Sequence, residues 1–323
     1  MRAARRILVV RLGAMGDIIH ALPAVASLKH SLPEARLSWI VESRWALLLA
    51  GNPYVDEVIE LDRGRLRGWM EAARRLREAR FDLAVDFQGL LKSALVASAA
   101  RADRVLGFEP SQLRERAAGL FYSGYALARA AHVVDRNLEL AAMAGAHSLL
   151  RRFPLPEGAP EGELPQGPFV LASPLAGWEG KQWPLDHYKL LAQRLERELG
   201  LPLVINGPPR AQYDLGPHYH ASSIAGLIHA TRRAAAVVGV DSGPLHLAAA
   251  LGKPGVAVYG PTDPARNGPY GGTITVLRSA EAATSYQRRG RVEDSMRRIS
   301  VDAVFEALAP RLAGKPQTSL CSG

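Results

Sequence analysis

The sequence predicts an α/β protein built from two Rossmann-like, doubly wound domains facing a cleft. Three observations predict it. Short strand-like apolar runs alternate with helical patterns through the first hundred residues. The alternation restarts after residue 168, and a proline-rich stretch at 153–168 separates the two series. A chain of 323 residues has room for about two domains. Strands that alternate with helices imply right-handed crossovers and a mostly parallel sheet.

In the first half, the β-branched run at 7–10 reads as a strand, RLGAMGD as a glycine-bearing turn, and 17–29 as a helix. Strands follow at 37–41 and 58–61, with a short helix near 45–50 between them. An amphipathic helix at 66–79 leads to the strand LAVDF at 83–87 and a helix at 90–100. FPLPEGAPEGELPQGP at 153–168 contains five prolines, so it cannot be a helix and reads as a linker. The expected domains are therefore 1–152 and 169–323. In the second, strands are read at 169–173, 201–206, 236–240 and 255–260, and helices at 185–199, 224–233, 244–251 and 301–312. No internal repeat shows at a period of 20–50 residues.

The composition, 48% hydrophobic and 22% charged, is that of an ordinary soluble enzyme. One cysteine, Cys321, makes neither an internal disulfide nor a cysteine zinc cluster. The net charge of +9 points to an anionic partner or to arginine-rich composition alone. Arg11 cuts the apolar run ILVV too short for a signal peptide, and no run approaches the ~18 residues of a membrane helix. The expected location is cytoplasmic. Basic runs lack interleaved aromatics, and no nucleic-acid-binding signature is present, so nucleic acid is not the expected partner.

Four segments carry candidate chemistry. In RLGAMGDIIHALPA, 11–24, Gly13 and Gly16 let the chain turn tightly, and Asp17 sits at a helix start beyond the first strand. From spacing alone, helix capping is the commoner use of such an aspartate. In VVGVDSGPLHLAAALGKPGVAVYGPTDPARNGPYG, 237–271, a buried strand runs into Asp241, Ser242 and Gly243, and a helix follows. Free N–H groups at that helix start attract anions. His246, one turn in, either meets the same ligand or is an ordinary helix histidine. In LAGWEGKQWP, 175–184, Lys181 could neutralise a phosphate; a lone lysine is more often a solvated surface residue. In the arginine-rich stretch 63–80, Arg63, Arg65 and Arg67 are read as preceding the helix, free to meet an anionic acceptor, while later arginines form its wet face. Gln88 and Lys92, at the next strand end, could reach the same region.

Together these motifs resemble glycosyltransferase family 9, the ADP-heptose:lipopolysaccharide heptosyltransferases, over nearly the whole chain. VDSGPLHLAAALGKP…YGPTDP is the most specific part, and MGDIIHALPA, DFQGLLKSAL and LRERAAGLFY are closest to heptosyltransferase I. The resemblance implies a GT-B fold, with the acceptor bound mainly by the first domain and the nucleotide sugar by the second. It also implies that the last helix can pack back on the first domain. Asp17 matches the family's catalytic base, which reverses the preference for capping. Lys181 matches a lysine near the donor phosphates. Asp241, Ser242, Gly243 and His246 match the donor motif, Ala176 and Gly177 the loop approaching the diphosphate, and Arg114 an acceptor-binding arginine.

The implied reaction is inverting transfer of heptose from ADP-heptose, a substrate rather than a cofactor, to the Kdo region of lipopolysaccharide. The acceptor would be Kdo-lipid A or a related anionic glycolipid, met at the inner face of the inner membrane by a peripheral protein. No metal ligand set is read. Ala211 stands where the family often has a ribose-binding glutamate, and the segment 207–222 is short. Alternatives are heptosyltransferase II, another family 9 transferase with a different acceptor, or a non-catalytic nucleotide- or nucleic-acid-binding protein.

Overall fold

A computed structural model describes residues 5–207, 218–285, 287 and 290–313. Ala211 lies outside them. The chain divides into two compact units, Met1–Pro156 and Glu157–Gly323.

The first unit contains strands β1 (Arg6–Val10), β2 (Arg36–Glu42), β3 (Glu57–Leu61), β4 (Leu83–Asp86), β5 (Arg104–Phe108) and β6 (Gly124–Ala126). Its helices are α1 (Met15–Ser31), α2 (Leu66–Ala79), α3 (Leu91–Ala99) and α4 (Val133–Met143). The second contains β7 (Val170–Ser173), β8 (Leu203–Gly207), β9 (Tyr219–Ala221), β10 (Ala236–Val240), β11 (Gly255–Tyr259) and β12 (Ile274–Arg278). Its helices are α5 (Leu185–Leu199), α6 (Ile224–Arg233), α7 (Gly243–Ala250), α8 (Pro264–Asn267), α9 (Asp294–Arg297) and α10 (Val301–Ala313).

Both sheets are six-stranded, and every described pairing is parallel. Their orders are β3-β2-β1-β4-β5-β6 and β12-β11-β10-β7-β8-β9. Counted from the first strand of each unit, both read 3-2-1-4-5-6, the doubly wound Rossmann order. The central strands are wholly apolar because helices cover both faces, as in Ile7–Val10 and Ala236–Val240. In such sheets ligands bind beyond the carboxyl ends of the strands, where the order reverses. That point lies between β1 and β4 in one unit and between β7 and β10 in the other.

Residues 101–150, for which the sequence reading proposes no elements, supply β5, β6 and α4. Helix α4 packs along α1, and Asn137 donates to the His20 carbonyl at 3.0 Å. α1 is buried on almost every side and accommodates Pro23.

Part of the proline-rich stretch is fastened to the second unit. Ala159 donates its N–H to the Ala225 carbonyl at 3.1 Å, and Glu161 accepts from the Ser223 N–H and hydroxyl, each at 2.7 Å. Gly158, at φ +79°, lies so close to α6 that a Cβ there would run into the Ala225 carbonyl. The last helix spends its apolar face inside its own unit. Val304, Phe305 and Leu308 join the core of Trp183, Tyr188 and Leu191, and Arg311 bonds Thr275 at 2.8 Å.

Candidate active site

In the first unit, the loops after β1 and β4 are tied together. Arg11 is buried although charged; one guanidinium nitrogen donates to the Phe87 carbonyl and another pairs with Asp17 at 2.7 Å. Gln88 accepts the Leu12 N–H at 2.9 Å. The other Asp17 oxygen accepts the Ala14 N–H at 3.1 Å, a contact that caps α1. Capping does not use up the carboxylate, whose side chain is 46% exposed. The structure thus leaves the two readings of Asp17 compatible.

Along the sequence Arg11 is only the end of an apolar run. Its signal was available: a charged residue between buried Val10 and Leu12 needs a buried partner. Glu42, which closes β2, was also missed. It is buried and pairs with Arg63 and, at 2.8 Å, with Arg44. Trp45 packs over Gly13, where a Cβ would come within 3.0 Å of the indole nitrogen. Lys92 is half-buried, and burial, then the charge of Arg63, lowers its pKa.

The three arginines separate. Arg63 belongs to the cluster around Glu42. Arg65 is exposed and 3.7 Å from Asp62. Arg67 does not precede the helix; it is the second residue of α2, paired one turn on with Glu71 at 2.7 Å. Arg114 is exposed on the loop before a 3-10 turn at Arg116–Phe121.

In the second unit, Lys181 closes a 3-10 turn, Glu179–Lys181, beyond β7. Its side chain is 12% exposed, so it is not a solvated surface lysine. The ammonium lies 2.7 Å from Asp241, just beyond β10, and 4.1 Å from the centre of the Trp178 ring. His246 Nε2 lies 3.4 Å from the other Asp241 oxygen. Burial alone would raise the Asp241 pKa; the His246 hydrogen bond and the Lys181 charge outweigh it and hold the carboxyl well below the usual range. Tyr259, at the end of β11, is pushed up by burial and then by the same carboxylate.

α7 begins beside this group. The first N–H groups of a helix have no acceptor within it, and Pro244 has none to offer, which leaves those of Gly243 and Leu245. The Ser242 hydroxyl is buried and has no partner among the described residues, and the Thr262 hydroxyl, on the loop after β11, shares that state. Thr262 was read only as part of a turn. Ala176 is half-buried against the core, whereas Gly177 is exposed, with open space where a side chain would stand. The Lys181 ammonium, held on Asp241, and the Ser242 hydroxyl stand at the start of α7, a place that suits an anion. Among the described residues, no group of three His, Cys, Asp or Glu could hold a metal ion.

Two Rossmann-like units, each with its polar groups at the switch point, define a protein of the GT-B type. The model of glycosyltransferase family 9 (heptosyltransferase) matches residues 69–296. Lipopolysaccharide heptosyltransferase 1 of Pseudomonas aeruginosa is 31% identical over 296 residues, 82% of this chain and 81% of that protein. The Escherichia coli K12 enzyme of the same name is 30% identical over 308 residues, 85% of this chain and 93% of its own. The structure of Escherichia coli heptosyltransferase WaaC with ADP superposes with a TM-score of 0.75 at 26% identity, covering 95% of this chain and 99% of that one. The chain belongs to glycosyltransferase family 9, and it is a glycosyltransferase.

Proposed function

We propose that this enzyme transfers heptose from ADP-heptose, with inversion, to the Kdo region of the lipopolysaccharide inner core, at the inner face of the membrane. The carrying observation is the buried Lys181–Asp241 pair beside the α7 start, in a chain similar to heptosyltransferase 1. Lys181, Ser242 and the Gly243 N–H would receive the diphosphate and stabilise the charge that develops as ADP leaves. Asp241 carries the wrong charge to meet a phosphate, so its role here is to hold Lys181 and His246; the loop at Ala176 and Gly177 would approach the diphosphate. Asp17 would take the proton of the attacking hydroxyl through a transition state with oxocarbenium character. Arg63, Lys92 and Gln88 line the same strand ends as Asp17 and would bind the anionic acceptor, with Arg65, Arg67 and Arg114 farther out.

The test is mass spectrometry of Kdo-lipid A incubated with the protein and ADP-heptose. A product heavier by one heptosyl residue is expected. An unchanged acceptor, with ADP released only by hydrolysis, would remove this acceptor.

A further inference from the structure

The apolar surface of this protein is unevenly distributed. Of the twelve large apolar side chains exposed among the described residues, ten lie in the first unit. The steepest cases are Leu120 at 85%, Leu66 at 79% and Met70 at 66%. Leu66 and Met70 are one turn apart on α2, and Leu91 and Leu95 repeat the spacing on α3. These are neighbouring elements: α2 packs on α3, and α3 packs on the Arg116–Phe121 turn that carries Leu120. The Leu91 N–H donates to Glu115 at 2.7 Å, which fixes that turn beside the start of α3. Exposed leucines this closely grouped are unusual on a surface that meets only water.

The same face is cationic. Arg65, Arg67, Arg114 and Arg116 are exposed on these elements or the loops before them, and residues 62–79, 90–99 and 114–121 together carry nine Lys and Arg against four Asp and Glu. Residues 1–156 carry 23 Lys and Arg against 16 Asp and Glu, whereas 157–323 carry 17 against 15. Apolar side chains interspersed with arginine describe a surface that lies in a lipid interface, the apolar groups at the acyl boundary and the guanidinium groups on phosphates. A nucleic acid would satisfy the arginines and leave the leucines in water. A second copy would set two cationic faces together. No helix among the described residues is long and apolar enough to cross a membrane.

We propose that the face formed by α2, α3 and the 116–121 turn docks on an anionic bilayer, with Leu66, Met70 and Leu120 entering the interfacial layer. This deepens the reading above by assigning membrane contact to one surface, but the binding itself needs neither donor nor acceptor. The test is co-sedimentation of the whole chain with phosphatidylglycerol or phosphatidylcholine vesicles, without substrates. Phosphatidylglycerol should be favoured by about tenfold or more at low salt, and less as salt rises. Leu66→Ser, Met70→Ser and Leu120→Ser together should lower partitioning by about tenfold or more, with ADP affinity and Tm kept. Leu120→Ser alone, at a side chain already in solvent, guards against misfolding and should give a measurable part of that loss. Equal binding to both lipids, or unchanged binding by these variants, would overturn the proposal. So would a dimer that the serines dissociate while vesicle binding stays the same. Loss of heptosyl transfer with vesicle binding intact would count against the proposed reaction alone.

Discussion

Asp86 closes β4 and Asp241 follows β10, the fourth strand of each unit, and the structure treats them oppositely. Asp86 is fully buried and receives only neutral donors: Tyr122 at 2.7 Å, Ser93 at 2.8 Å, and the Gln88 and Gly89 N–H groups. Burial outweighs those bonds and raises its pKa. Asp241 is nearly as buried, but Lys181 and His246 hold its pKa low. Corresponding strands of one topology therefore lead to different chemistry, because a cation is present in one place and absent in the other. The first unit uses its buried aspartate to shape the loop that ends in Gln88, and keeps a second, half-buried aspartate, Asp17, under Arg11. The second unit uses its buried aspartate to hold a lysine.

The largest expected effect tests that division in the first unit. Asp17→Asn should lower kcat by about 10²–10⁴ as a general base is lost. ADP affinity should stay within about twofold, because the proposed phosphate groups lie in the other unit. Steady-state kinetics beside calorimetry checks it; near-normal turnover by the folded variant would reduce Asp17 to a helix cap.

Asp241→Asn should be the most damaging to stability. Removing one partner of a buried pair leaves the other charge uncompensated, at about 3–5 kcal/mol. The Asp241 pKa is depressed in the folded state, so the advantage of wild type over the variant should be complete above the ordinary carboxylate value. It should be lost as pH falls through the lower, folded value. Urea denaturation of both proteins from pH 7 downward reads this directly; a constant gap would mean that Asp241 is not ionised in the way its partners imply.

Asp86→Asn should cost about 1 kcal/mol or less. The two hydroxyls can turn to accept from an amide, and Ser93 already has the Leu90 carbonyl as a second acceptor at 2.8 Å. The pH slope should also have the opposite sign. A raised carboxyl pKa contributes stability below its unfolded value and loses it as pH rises through the folded value. Wild type should thus lose ground to the variant between acid and neutral pH. If Asp86→Asn were as destabilising as Asp241→Asn at pH 7, the contrast between the units would fail.

The smallest effects belong to the arginines. Arg65→Glu and Arg67→Glu should each change acceptor KM by about twofold or less at physiological salt, since exposed pairs contribute ~0–1 kcal/mol. Arg63→Glu should exceed both, because it sets a carboxylate against buried Glu42. Equal effects from all three would mean that they act as one surface charge.

The long strongly patterned elements were legible in the sequence. Helices 66–79, 185–199 and 224–233 and the strand 236–240 have the bounds that their periodicity gives. Strands β5, β6, β9 and β12 were not: β6 and β9 have only three residues, and RVLGF and ITVLR lack a clear alternation. DSGPLH and Lys181 were singled out as phosphate-binding types, but nothing in their spacing joins residues sixty apart. Arg11, Glu42 and Tyr259 escaped because each sits at a strand end, where an isolated polar residue reads as the end of an apolar run; Thr262 escaped inside a turn-rich loop.

The alternation of strand and helix, the restart after the proline-rich stretch, and the residue types suited to a base and to a phosphate can all be read along the chain. These are local properties, set by side-chain period and backbone preference. Which residues become neighbours is settled when the strands pair. Parallel strands are joined by long crossovers, so the neighbours of β1 and β7 are β4 and β10, far along the chain. That pairing sets Arg11 on the Phe87 carbonyl and Lys181 on Asp241, and it fixes their charge states by burial and by partners that sequence distance conceals.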